Sequence, residues 1–197
     1  MNKTIKQLTR IFASAALVLV LGVSVAPSAA AATGAGTTDV QSGQASAHYE
    51  AWLTKQVHHE LAMLPWLTVF DNLEYRIDGT TVILEGQVVR ASLKPDAENA
   101  VKHIEGVTKV VNNIEVLPIS PMDNQIRMQT YRAIYGEPSL QIYGPNPVSS
   151  IHIIVKNGNV TLVGVVNNKT DKNLAGIRAN GVPNVFSVTN DLQVEKG

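Results

Sequence analysis

The sequence predicts an α/β chain of the α+β kind: two tandem αββαβ domains, each with two helices packed on a three-stranded mixed sheet. Three observations carry this. Shifting the 197-residue chain by 78 positions superimposes residues 73–116 on 151–194 without a gap, and ten of the 44 pairs are identical. They are Val82/Val160, Leu84/Leu162, Gly86/Gly164, Val88/Val166, Lys94/Lys172, Ala97/Ala175, Val107/Val185, Val110/Val188, Asn112/Asn190 and Val116/Val194. These identities fall mostly on apolar and glycine positions, as expected of copies that share a fold more than a chemistry. Within each copy the apolar spacing switches from helical to alternating and back, and a turn dipeptide divides each alternating stretch.

The chain opens on an address. Lys3, Lys6 and Arg10 precede an uncharged run from Ile11 to Val25, Pro27 breaks it, and Ala30-Ala31-Ala32 offers a cleavage site. An apolar stretch of this length falls short of the ~20 residues that span a bilayer, so residues 1–32 read as a cleaved signal peptide, with an uncleaved anchor as the alternative. A periplasmic product without a lipid anchor is expected, because the chain holds no cysteine to carry one. Residues 33–47 are rich in Gly, Ser, Thr and Ala and read as a flexible leader.

Domain 1 is expected over 48–118. Leu53, Val57, Leu61 and Leu64 recur at helical spacing until Pro65. Leu73, Tyr75 and Ile77 alternate, Asp78-Gly79 turns the chain, and Val82, Leu84, Gly86 and Val88 alternate again. Pro95 lies near the start of a helix carrying Ala97, Val101 and Ile104, and Val110 to Val116 forms the third strand. Domain 2 is expected over 122–197. A helix runs from Ile126 to Ile134, strands Ile151–Val155 and Val160–Val166 flank Asn157-Gly158, a helix passes through Ala175 and Ala179, and Val188–Val194 closes the unit.

The residues Val82-Ile83-Leu84-Glu85-Gly86-Gln87-Val88 and Gly106 through Val116, repeated as Val160–Val166 and Val185–Val194, resemble the BON domain of bacterial envelope proteins. Asn184 stands where the family pattern has a glycine, and asparagine tolerates the positive φ of such a turn. The resemblance implies the fold order above, export, no enzymatic activity, and attachment to phospholipid membranes in osmotic stress protection or envelope integrity.

Chemistry is sparse. His58-His59-Glu60 begins like a zincin motif, but Met63 stands where the second histidine would be. No nucleophile elbow, dinucleotide fingerprint or phosphate loop occurs, so no catalytic residue, cofactor or metal ligand is assigned. Asp71, Glu74 and Asp78 read as a solvated sheet face. Sixteen basic residues balance 16 acidic ones, which excludes the basic footprint of a nucleic-acid binder. By domain the charge is uneven: 49–118 holds 6 basic and 10 acidic residues, and 122–197 holds 7 and 5. Domain 2 is therefore the better match to anionic lipid.

Two surfaces follow. Arg127, Tyr131, Arg132, Tyr135 and Tyr143 combine cations with amphipathic rings and are candidates for an anionic phospholipid surface. Tyr131 and Tyr135 also align with Leu53 and Val57, which favours a place in the core. Ile154, Val163 and Val165 replace Arg76, Glu85 and Gln87 of the first copy, leaving an aliphatic sheet face. Wet apolar surface costs about 25 cal/mol per Å². Domain 1, a second copy of the chain, an envelope protein or a membrane could cover that face.

Overall fold

The computed structural model describes residues 38–144 and 149–195, with side chains from His48 onward; the segment read as a signal peptide lies outside them. The first helix, α1 (Thr38–Ala62), starts earlier than expected. Residues 38–47, read as part of the leader, are helical. Ala, Gln and Ser tolerate a helix, and propagation from a turn already fixed by packing is cheap where nucleation is not. Leu53, Val57 and Leu61 are fully or almost fully buried at four-residue spacing, and they nucleate that packing.

Domain 1 continues with β1 (Asn72–Asp78), β2 (Thr81–Val88), α2 (Leu93–Lys102), β3 (Lys109–Asn112) and β4 (Glu115–Val116). Domain 2 repeats the order with α3 (Pro121–Tyr135), β5 (Ile151–Lys156), β6 (Asn159–Val166), α4 (Lys169–Asn180), β7 (Ser187–Asn190) and β8 (Gln193–Val194). A short 3₁₀ helix, Pro138–Tyr143, is added after α3, where the alignment of the copies gave no warning. Each sheet centres on its second strand. β2 pairs antiparallel with β1 and parallel with β3 and β4, and β6 does the same with β5, β7 and β8.

The expected third strand is thus present but bent, and a shared residue bends it. Asn112 Nδ2 donates to the Lys94 carbonyl on α2 (2.8 Å), and the Ile114 amide donates back to Asn112 Oδ1 (3.2 Å). Asn190 Nδ2 donates in the same way to Lys172 O (2.7 Å). One side chain therefore both interrupts the ladder and ties it to the helix above. The paired glycines are as strictly placed. Gly86 and Gly164 adopt φ of 113° and 128°, and a Cβ there would stand 2.1 and 2.0 Å from the carbonyl oxygens of Asn72 and Ser150.

The turns show how two sequences reach one shape. Asn157 and Gly158 both have positive φ, the sign pattern of a type I′ hairpin. In domain 1 the central pair is Gly79-Thr80, one residue later than the expected Asp78-Gly79, because Asp78 still pairs with Thr81 in the ladder. Asn184 adopts φ of 66° where Gly106 has 84°, so asparagine does serve the turn. Ser120 and Asn168 cap α3 and α4 by accepting from the amides of Asp123 and Asp171.

Each domain has its own core, one built on Leu53, Val57, Val82, Leu84 and Val101, the other on Ile126, Ile134, Ile151, Leu162 and Val166. The separation is incomplete, because Val69 and Phe70, from the segment between α1 and β1, pack against the core of domain 2.

Candidate functional site

Most of the residues expected to face lipid are interior. Arg127 is buried on the inner side of α3. Its Nη2 donates to the Val155 carbonyl on β5 (2.7 Å) and its Nη1 to Asn124 Oδ1 (2.5 Å). Burial pulls its pKa below the usual arginine value, and the charges of Asp123 and Asp71 offset part of that. Asp123, also buried, accepts from the amides of Asn157 (2.9 Å) and Gly158 (2.8 Å), so the first turn of α3 holds the β5–β6 hairpin. Tyr135 donates its hydroxyl to Ile151 O (2.6 Å), and burial raises its pKa. Tyr143 donates to Asp171 Oδ2 (2.7 Å) and accepts from the Asn167 amide (2.9 Å). Arg127 and Tyr135 fasten α3 to β5 and Tyr143 fastens the 3₁₀ helix to the start of α4, so as placed they present no headgroup-facing surface. Tyr131 is half-buried between Phe70 and Tyr135, with ring centroids 6.2 and 4.9 Å away. Of the five, only Arg132 is exposed.

The aliphatic face is divided. Ile154 is buried, in a cleft that Gln87, Glu115 and Leu117 of domain 1 and its extension help to form. Lys156 closes the border through an ion pair with Glu115 (2.5 Å). Domain 1 thus covers Ile154, while Val163 is half-buried and Val165 stays 49% exposed.

Two features went unread in the sequence. Asp71, expected on a solvated face, is 1% exposed. Its carboxylate accepts from Thr68 N (2.9 Å), Thr68 Oγ1 (2.6 Å) and Val89 N (2.7 Å), because it closes a turn ahead of the strand instead of alternating along it. The second is Trp66, which is 67% exposed and held at φ of 71°. The Arg90 guanidinium lies 5.0 Å from its ring centroid, and Met63, three residues earlier, is 68% exposed. An exposed tryptophan in a left-handed conformation, stacked with a cation, is costly to keep for packing alone. Pro65-Trp66 directly after an apolar helical run was the available signal.

Among the described residues no cluster of three metal-ligating side chains occurs, and no helix is long and apolar enough to cross a membrane. His58 and His59 lie exposed on α1.

What fold and surfaces define is a tandem α+β module that offers surfaces to a partner. The BON domain profile matches residues 49–118 and 123–196, about three quarters of the sequence, and the chain belongs to the BON domain family. BON domains are found in envelope and stress-related proteins and are generally non-enzymatic, which supports a non-catalytic envelope protein. Among solved structures, the chain is similar to CdsD, described as a structural protein of the type III secretion system of Chlamydia trachomatis. Identity is 14% and the TM-score 0.26, over 73% of this chain and 93% of that one. A second structure, the C-terminal domain of CdsD, gives 13% and 0.26 over 73% and 98%. Among curated proteins no match was found.

Proposed function

We propose that this protein is exported to the periplasm and attaches to phospholipid surfaces there, in osmotic stress protection or envelope integrity. The supporting observation is the exposed tip at Trp66, with Arg90 over its ring and the exposed Met63 three residues earlier. A tryptophan ring partitions to the headgroup boundary, a thioether inserts beside it, and a guanidinium on the ring face meets lipid phosphate. This moves the expected contact from α3 to the segment after α1, leaving Arg132 as the remaining cation of the earlier set. The test is vesicle sedimentation with anionic against zwitterionic lipid. Wild type should pellet with anionic vesicles, Trp66→Ala should lose at least tenfold in binding, and Arg132→Ala should change it little. Equal recovery of wild type and Trp66→Ala in the pellet rejects the tip.

A second reading is favoured by Val165, an aliphatic side chain left half-exposed beside Val163 on the outer face of β6. It makes the protein an adaptor that docks an envelope protein on domain 2. Changing Val163 and Val165 together to Lys would then abolish a co-purifying partner and leave vesicle binding intact.

A further inference from the structure

Between α1 and β1 the chain crosses to the other domain. The Ile153 amide, on the outer edge of β5, donates to the Val69 carbonyl (2.8 Å), a single β-type rung between the domains. Phe70 lies edge-on to Tyr131, and Asp71 ties the same turn back to domain 1 through Thr68 and Val89. His152, the neighbour of Ile153, enters from domain 2. It helps line a cavity of about 120 Å³, walled by Leu61, Leu67 and Tyr75, with His58 and Asp71 as its other polar members. His152 Nδ1 is buried and makes no hydrogen bond, although the Asp71 backbone lies beside the ring.

We propose that this contact is an acid-opened latch between the two domains, with His152 as the group that takes the proton. A neutral imidazole fits the cavity, whereas an imidazolium would bring a charge and a second N–H into an apolar space. Asp71 is the nearest counter-charge, but three donors already hold its carboxylate. Burial pushes the His152 pKa below its ordinary 6.5, and the backbone and charge of Asp71 pull part of the way back. The surrounding elements do not reverse this. His58 comes from the exposed side of α1, and Tyr75, from β1, donates its hydroxyl to Thr54 O and stays neutral because burial raises its pKa. Arg127, from α3, adds a positive charge close enough to feel Asp71, and the facing residue on β6 is the uncharged Val163. The sign follows. A group whose pKa is lowered in the closed state binds its proton more readily in the open one. Opening is therefore favoured up to tenfold for each pH unit below 6.5, until the closed-state pKa is reached. Once open, the β5 edge at Ile153 and the apolar side of Tyr131 are free.

The chain has no cysteine, so Asn99→Cys and Asn173→Cys, exposed on α2 and α4, allow one spin-label pair across the domains. At pH 7.5 the distance distribution should be narrow, and at pH 5 it should broaden with a larger open fraction. His152→Gln, neutral at both values, should stay narrow, and His58→Gln should behave as wild type. A distribution unchanged at pH 5, or the same broadening in His152→Gln, overturns the latch. An NMR titration of the His152 ring in the unsubstituted protein decides the matter even if the variant fails to fold. A midpoint at or above 6.5 rejects the proposal, and one below it supports it.

Discussion

In domain 1 a tyrosine hydroxyl ties the sheet to its first helix, and in domain 2 side chains from domain 1 pack at the equivalent place. Tyr75 and Ile153 occupy equivalent places in the repeat. Tyr75 is long enough to reach α1, where its hydroxyl donates to the Thr54 carbonyl (3.0 Å). Ile153 has no hydroxyl to offer α3, and Val69 and Phe70 of domain 1 pack against the core around it. Burial records the outcome: Ile151, Ile153 and Val155 are fully buried, whereas Leu73, Tyr75 and Ile77 are only partly so. Two copies of one pattern can thus differ in autonomy through a single position. The packing of Val69 and Phe70 predicts that domain 2 depends on domain 1 more than the reverse.

Both tryptophans, Trp52 and Trp66, lie in domain 1, so their fluorescence follows that domain while far-UV circular dichroism follows both. The largest expected effect is that of Leu53→Ala, which empties a fully buried position of the first core at about 3 kcal/mol. Because domain 2 would lose the packing of Val69 and Phe70 as domain 1 unfolds, both signals should shift together in a urea titration. Separate transitions, with the circular dichroism of domain 2 unmoved, would break the asymmetry. Phe70→Ala should cost about 2 kcal/mol, less than a fully buried phenylalanine, and should fall on domain 2. Circular dichroism should then show an early phase that tryptophan fluorescence lacks. Tyr75→Phe is the smallest, about 1 kcal/mol for one lost hydrogen bond, and should move the fluorescence transition more than the remaining one.

The sequence made the architecture readable because period and turn chemistry are local. Alternation located four strands, and Gly79 and Asn157-Gly158 located two hairpins. Asn112 and Asn190 marked the third strands without revealing that their side chains would bend them. The surfaces were harder to read. Arg127, Tyr135 and Tyr143 look amphipathic in sequence, and their polar tips bond groups 28, 16 and 28 residues away, which no local pattern announces. Ile154 looked exposed because the cover comes from the other domain. Trp66 escaped notice because it sits between periodic segments, where neither helical nor alternating spacing applies.

The bent third strand has a bearing on self-association. β3 and β7 are four residues long, and each is followed by a break before two further paired residues. A straight outer edge would offer a continuous row of amides and carbonyls to the same edge of a neighbouring molecule. Here Asn112 and Asn190 turn the row aside toward a helix after one short run. One amide side chain per domain therefore shortens the straight edge that the outer strand offers for sheet growth between molecules.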